Sequence, residues 1–311
     1  GLEFDGAVFT NLTQDHLDFH KDMESYFKAK SRLFRSLTAR PKKRGAGFVS
    51  KVRCGKFSII NFDDEYGRRL AGLSPAPVSS YGLDGEWDYK ASEISMNDRG
   101  AAFTFSSPQG IKKTMTSLVG KYNIYNALSA AACAAQLGMP LEKICAGLQK
   151  AVRVPGRLER VEAGQDFTVL VDYAHTEDAL ENALKAVKQF AEKRVLTLFG
   201  CGGDRDPGKR PKMGKAAVSL SDWTVVTSDN PRSEDPARIA DHIVAGIRET
   251  GRSNYEVVLD RGDAIRKILS MARAGDVVLL AGKGHETYQI FADKTIHFDD
   301  GEMARNILCS R

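Results

Sequence analysis

Two rhythms of hydrophobic and polar positions divide this chain. Through residues 1–154 the pattern is mixed. Ala7, Val8, Phe9 and Thr10 form a short strand-like run, and Met23, Tyr26, Phe27, Leu33, Phe34 and Leu37 recur at helical spacing, which predicts a helix over residues 22–39. Short strands are expected at 47–52, 57–61 and 78–81. Residues 88–115 alternate in polarity between Gly and Pro breaks, as antiparallel strands do, with 101–105 among them. An alanine-rich helix is expected at 122–137 and a second at 141–151, after which Pro155-Gly156 marks a domain boundary.

From there to residue 311 the rhythm is regular. Strands are predicted at 167–171, 194–199, 223–227, 255–259 and 276–281, alternating with helices at 177–191, 209–220, 236–250 and 261–274. Runs such as VLTLF and VVLLA are apolar on both faces, the mark of a mostly parallel sheet covered by helices. The fold class is therefore α/β. Ligands of such sheets collect at the carboxyl ends of the strands, and this is where the chain keeps its polar motifs: DYAH, GCGGDRD, SDNPR and GKGHE.

Composition narrows the classes. A length of 311 residues suits two domains, and 42% hydrophobic with 27% charged residues is an ordinary globular mixture. The net charge of +5 comes without a basic block beyond residues 41–44, so no nucleic-acid partner is expected. Five cysteines without a CxxC pair argue for reduced thiols rather than a disulfide framework or zinc ribbon. There is no stretch apolar enough for a membrane span and no signal-peptide core, so a cytoplasmic monomer is expected. The chain opens at Gly1 without an initiator Met on what reads as domain interior, and is expected to be a fragment.

The candidate chemistry begins at TNLTQDHLDFH, residues 10–20. Asp15 and Asp18 are suited to cap the following helix, and His16 to face a cation or nucleotide. Asn123 and Asn126 lie three apart on one helical face, where they suit a nucleotide base; Asn123 as a helix cap is equally open. Arg157 suits a phosphate, or a surface ion pair. Asp172 suits a ribose hydroxyl, or a cap for the helix from Glu177. Around Arg205, the glycines of GCGGDRD let backbone approach a ligand. Asp229, Asn230 and Arg232 in DNPR describe a zwitterion receptor, an ammonium acceptor beside a planar guanidinium fork; the alternative is a turn capping the helix at Pro236. In GKGHE, Glu286 suits an ammonium and the backbone amides near Gly282 suit a carboxylate, because no Gly-Lys pair is followed by the Ser or Thr of a Walker loop.

Taken in order, TNLTQDHLDFH, GKYNIYNALSAA, GRLERVE, VDYAHTEDAL, GCGGDRDPGKRP, SDNPRSEDP and AGKGHE resemble the Mur ligases, in the branch that adds meso-diaminopimelate to UDP-N-acetylmuramoyl-L-alanyl-D-glutamate. The resemblance covers nearly the whole chain. It implies that residues 1–154 are the later part of the central ATPase domain and 155–311 the C-terminal Rossmann-like domain. It also implies ATP, Mg2+ and an acyl-phosphate intermediate, in peptidoglycan synthesis. By the same resemblance Lys30 is carbamylated and, with His16, positions the metal; Asn123 and Asn126 contact adenine, Arg157 a phosphate and Asp172 the ribose. Arg205, Asp229, Asn230, Arg232, Gly282 and Glu286 contact the incoming amino acid, and Arg232 selects diaminopimelate over lysine by its extra carboxylate. The family's P-loop, upstream magnesium-binding glutamate and UDP-binding domain have no counterpart here, so the chain alone is expected not to ligate.

Three rivals stand beside this reading. A non-catalytic scaffold is known among plant relatives, but it has no need of Lys30, Arg205 and Arg232. A folylpolyglutamate synthetase shares the architecture and the carbamylated lysine but has no use for DNPR. A phosphatase built on DHLDFH lacks the carboxylates of a two-metal site.

Overall fold

The computed structural model describes residues 2–13, 20–38, 55–151 and 154–310. Their contacts fall into two units, Gly1–Ser95 with Gly100–Val152, and Met96–Arg99 with Arg153–Arg311.

The first unit runs β1 (Gly6–Phe9), α1 (Met23–Arg35), β2 (Phe57–Asn61), α2 (Glu65–Ala71), β3 (Val78–Gly82), β4 (Tyr89–Asn97), β5 (Gly100–Ser107), β6 (Gly110–Thr116), α3 (Lys121–Gln136) and α4 (Leu141–Gln149). Its sheet keeps that order, β1 to β6, with β1 to β4 parallel and β5–β6 an antiparallel pair. Every residue of β2 is buried, as a strand flanked by β1 and β3 in a covered sheet requires. Phe27 and Phe34 of α1 and Leu70 of α2 pack with Phe9 and Ile60. Each such side chain contributes about 1.5–3 kcal/mol by leaving water.

Helix α1 is capped by Asp22, whose Oδ1 accepts from Ser25 N at 2.7 Å. The expectation that Asp15 and Asp18 cap it is corrected accordingly, and both lie outside the described residues, as does the strand expected at 47–52. The helix stops at Arg35, short of residue 39, with Ser36 as its C-cap. Helix α2 had no sequence prediction, because seven residues are too few to display a period. It starts where Asp64 accepts from Gly67 N at 3.1 Å.

The second unit runs β7 (Glu159–Val161), β8 (Thr168–Asp172), α5 (Glu177–Lys188), β9 (Val195–Phe199), α6 (Lys209–Leu220), β10 (Trp223–Val226), α7 (Pro236–Arg248), β11 (Tyr255–Val257), α8 (Arg261–Met271), β12 (Val277–Ala281), β13 (Tyr288–Ile290), β14 (Thr295–His297) and α9 (Asp300–Cys309). The sheet order is β11-β10-β9-β12-β8-β7, parallel throughout except that β7 runs against β8. All residues of β9 and β12 are buried. On one face of the sheet, Leu196, Leu198, Val278 and Leu280 pack with Ile265, Ile268 and Leu269 of α8 and Ile307 and Leu308 of α9. The strands β7, β13 and β14 and the helix α9 carried no sequence prediction. Three-residue strands are too short to show alternation, and β13–β14 forms a separate antiparallel pair.

Chain order and sheet order part company in one place. From β9 the chain steps outward to β10 and β11, then returns to insert β12 between β9 and β8. In open sheets of this kind ligands bind outside the carboxyl ends of the strands, at such a reversal.

Candidate functional site

Strand register brings the four polar motifs together. Ala281 pairs with Asp172, Leu280 with Leu198, and Val226 with Phe199, so the loops that follow β8, β9, β10 and β12 leave the sheet side by side.

The loop after β9 and the loop after β10 interlock. Gly203 N donates to Asn230 O at 2.9 Å, and Arg232 Nη1 donates back to Gly203 O at 2.7 Å. Ser233 Oγ donates to Asp204 Oδ1 at 2.7 Å, and Asp204 N to Glu234 Oε1 at 2.6 Å. A side chain at Gly203 would collide with the Pro231 carbonyl, so the close approach needs glycine. Beneath the loops, the buried Arg210 guanidinium forks onto both oxygens of Glu234 at 2.8 and 2.9 Å and donates to Gly202 O at 3.2 Å. This fork, helped by Asp204 N, pulls the Glu234 carboxyl down to about 2. Asp204 and Arg232 both have φ of +53°, a conformation that costs a side-chain-bearing residue about 1–2 kcal/mol. Such strain persists only where surrounding contacts enforce it.

Within DNPR, Asn230 is 2% exposed and its amide is held from both ends: Nδ2 donates to Glu286 Oε2 at 2.8 Å, and Oδ1 accepts from Ile290 N at 3.0 Å and Lys283 Nζ at 3.3 Å. Arg232 is half-buried, with its guanidinium against the Gly202–Gly203 turn that leads to Arg205. Arg205 itself is exposed. Asp229 is buried; burial pushes its carboxyl up, while Arg261 and Lys283 oppose the shift. Gly282, at φ +113°, leaves no side chain in front of Asp229 Oδ2, but its own N–H is committed to Asp172 O at 3.0 Å. Sheet pairing thus takes that one amide of the GKGHE loop. Helix α7 is capped by Asp235, which accepts from Ala237 N, with Pro236 at its first position, so the DNPR turn itself is not the cap.

Several residues of this site escaped sequence reasoning. Lys283 is fully buried, with Nζ 3.3 Å from both Asn230 Oδ1 and Glu286 Oε2. Arg261 and Asp300 form a completely buried pair at 2.6 and 2.7 Å, and the same guanidinium donates to Ser228 O at 3.2 Å and Ala281 O at 3.1 Å. It therefore ties the ends of β10 and β12, just before Asp229 and Gly282, to α9. Lys283 stood inside a quoted motif and Arg210 just beyond one; Asp300 has no local signal at all. Cys201, in the same loops, is buried and its thiol is pushed up to about 12, which leaves it a protonated packing residue.

The remaining expected residues are placed as follows. Asp172 is buried at the end of β8, its carboxylate accepting Leu158 N at 2.8 Å and Ala174 N at 2.9 Å. It does not cap α5, whose cap is Thr176. Arg157 is exposed, its guanidinium 5.4 Å from the centre of the Tyr173 ring. Asn123 and Asn126 belong to the first unit, on α3. Asn123 is buried, donating to Val119 O at 2.8 Å and accepting from Asn126 Nδ2 at 3.1 Å, while Asn126 presents the rest of its amide at the surface. The cap of α3 is Gly120, not Asn123. Lys30 is exposed on α1, its Nζ 4.9 Å from the centre of the Tyr26 ring, on which His20 stacks at 4.7 Å. His16 lies outside the described residues. Among the described residues no group of three or more His, Cys, Asp or Glu side chains is arranged to hold a metal ion. None of the described helices is long and apolar enough to cross a membrane.

A mostly parallel sheet with interlocked loops at its carboxyl ends thus follows a mixed sheet, and both parts of the chain match known families. Residues 1–134 match the Mur ligase middle domain and residues 156–284 the Mur ligase, glutamate ligase domain. The chain belongs to the Mur ligase family. It is 47% identical over 315 residues to the UDP-N-acetylmuramoyl-L-alanyl-D-glutamate–2,6-diaminopimelate ligase of Geobacter sulfurreducens, an alignment covering 97% of this chain and 60% of that protein. A solved ligase of the same name superposes with a TM-score of 0.65 at 33% identity, covering 100% of this chain and 61% of the other. The folylpolyglutamate synthase of Mycobacterium tuberculosis superposes with a TM-score of 0.69 at 19% identity, over 90% of this chain and 61% of that one, a likeness of fold alone. The chain thus spans about 60% of the length of the relatives it matches.

Proposed function

We propose that the loops at the sheet's carboxyl edge receive meso-diaminopimelate, within an ATP-dependent ligase that joins it to UDP-N-acetylmuramoyl-L-alanyl-D-glutamate in peptidoglycan synthesis. One observation carries the proposal. The single turn Asp229–Arg232 sets a guanidinium against the turn leading to Arg205 while its Asn230 binds Glu286, so cationic and anionic receptors are built into one rigid piece. In this reading Arg232 and Arg205 hold the carboxylates of the incoming amino acid, and Asp229 and Glu286 hold its ammonium groups. Asn230 sets the angle between the two. Lysine lacks the second carboxylate, and binding it would leave a guanidinium unpaired at a cost of about 2–5 kcal/mol.

The nucleotide reading assigns the exposed amide of Asn126, its rotamer fixed by Asn123, to the adenine, with Arg157 for a phosphate and Asp172 for the ribose. Asp172 already serves two backbone amides, and in this reading a ribose hydroxyl is a further donor to the same carboxylate. Bound ATP and Mg2+ would supply the phosphoryl group that activates the D-glutamyl carboxylate and the charge that screens it. Lys30 carbamylated, with His16, is assigned to the metal. The 311 residues contain no GxxxxGK[ST] sequence, so ligation by this chain alone is not expected. Cytoplasmic residence follows from the nucleotide-linked substrate.

Equilibrium binding of radiolabelled meso-diaminopimelate and L-lysine to the chain tests this reading. The former should bind more tightly by on the order of 30-fold, the factor that corresponds to the lower end of the unpaired-charge cost. R232A should erase the preference by weakening the binding of meso-diaminopimelate more than that of lysine. Equal affinity for the two amino acids in the unsubstituted chain defeats the proposal, and favours the scaffold reading if neither binds.

A further inference from the structure

Lys283 is the buried group that the reading above leaves without work. It is 0% exposed, on the loop that follows β12, and an ammonium is among the costliest groups to withdraw from water. Its neighbours explain why it is tolerated. Nζ donates to Asn230 Oδ1 and to Glu286 Oε2, both at 3.3 Å, and faces the Tyr288 ring at 5.6 Å. Glu286 Oε2 also accepts from Asn230 Nδ2 at 2.8 Å, so one carboxylate oxygen takes both inward donors. Among the described residues nothing donates to Oε1.

Charge balance sharpens this. Arg261 and Asp300 neutralise each other. Asp229, Glu286 and Lys283 remain, and with both carboxyls ionised the trio carries one uncompensated negative charge. The arrival of one ammonium cancels it. Without Lys283 the two carboxylates would leave the cluster doubly negative around a buried Asn230, and Glu286 Oε2 would keep its Asn230 bond but lose its only charged donor among the described residues.

We propose that Lys283 is a positioning residue of this site: its buried ammonium ties Asn230 to Glu286, turns Oε2 inward and leaves Oε1 as the acceptor for an ammonium of the incoming amino acid. This rests on the amino-acid reading of the site and deepens it. Lys283 acts through Glu286 and does not touch the ligand. It sets the charge that an arriving ammonium meets, as Arg232 sets the charge that a carboxylate meets.

The test compares the unsubstituted chain with K283M and K283R, using meso-diaminopimelate as the probe in calorimetry, and following thermal unfolding of each in parallel. K283M keeps the unbranched shape and most of the length of the side chain and removes the charge; it should weaken binding by about tenfold or more, the scale for removing one member of a buried charged hydrogen-bonded pair. K283R should recover part of that loss. In the ligase from Geobacter sulfurreducens carrying the equivalent substitution, KM for the amino acid should rise with KM for ATP unchanged, a split that a general loss of structure would not give. If K283M fails to fold, the K283R chain and the split in KM still decide. Tight binding by K283M equal to that of the unsubstituted chain overturns the inference alone; absence of binding by the unsubstituted chain overturns the amino-acid reading and the inference with it.

Discussion

Each unit keeps a structural carboxylate away from bulk water, and they satisfy it by opposite means. In the first unit Asp63 gathers neutral donors: Leu83 N at 2.5 Å, Trp87 Nε1 at 2.8 Å and Tyr125 OH at 2.8 Å. Partial burial works against ionisation, but these hydrogen bonds outweigh it and hold the carboxyl below its ordinary value. In the second unit Asp300 meets a guanidinium instead, and Glu234 another. Neutral donors bind a carboxylate to a loop without altering the local charge count. Guanidinium pairs do something further: the same arginine that neutralises the acid has donors left for backbone carbonyls, and it uses them to fix strand ends. The wall of the first unit is held by one acid with many donors. The site of the second is held by cations that each bind several acceptors.

The comparison can be broken most forcefully at Arg261. R261M leaves Asp300 buried without a partner and should lower stability by about 3–5 kcal/mol in urea denaturation. The double variant R261M/D300L replaces the pair by apolar groups and should recover most of that loss, while still weakening the proposed binding of diaminopimelate because the ends of β10 and β12 are no longer tied. If the double variant binds as well as the unsubstituted chain, the guanidinium serves packing only.

A smaller effect is expected from D63N. An amide keeps one acceptor but turns an N–H toward donors, which should cost about 1–3 kcal/mol. Trp87 is one of two tryptophans, and release of its indole N–H should shift the emission. An unchanged melting curve would show that the neutral-donor arrangement carries little weight.

The smallest effect is acid sensitivity at Glu234. Its carboxyl lies at about 2, below an ordinary value of 4.5, because Arg210 stabilises the charged form. The folded state therefore binds its proton less readily than the unfolded chain. The stabilisation is fully present above about 4.5 and is lost as pH falls through about 2. Stability curves of the unsubstituted chain and E234Q should converge on acidification across that interval. Parallel curves would mean that the Arg210 pair contributes nothing to folding.

How much of this was legible beforehand differs between elements and contacts. The alternation of strand and helix from residue 167 to 281 follows from runs such as VVLLA, whose composition admits no partly exposed face. The location of DYAH, GCGGDRD, SDNPR and GKGHE at strand ends follows from that alternation. The short pieces did not show, because β7, β13 and β14 hold three residues each and a period of two needs more. Cap residues were misassigned for a related reason: several polar side chains precede each helix, and which one reaches the free amides depends on backbone angles that composition does not carry.

The sequence by itself determined the class of fold, the family and the four loops where polar chemistry gathers, because periodicity and motif are local properties. Only the tertiary structure decided that Lys283 is buried between Asn230 and Glu286, or that Arg261 finds Asp300 across 39 residues of chain. Those partnerships depend on β12 returning between β8 and β9, and strand order is fixed by how whole faces pack rather than by any neighbour along the chain.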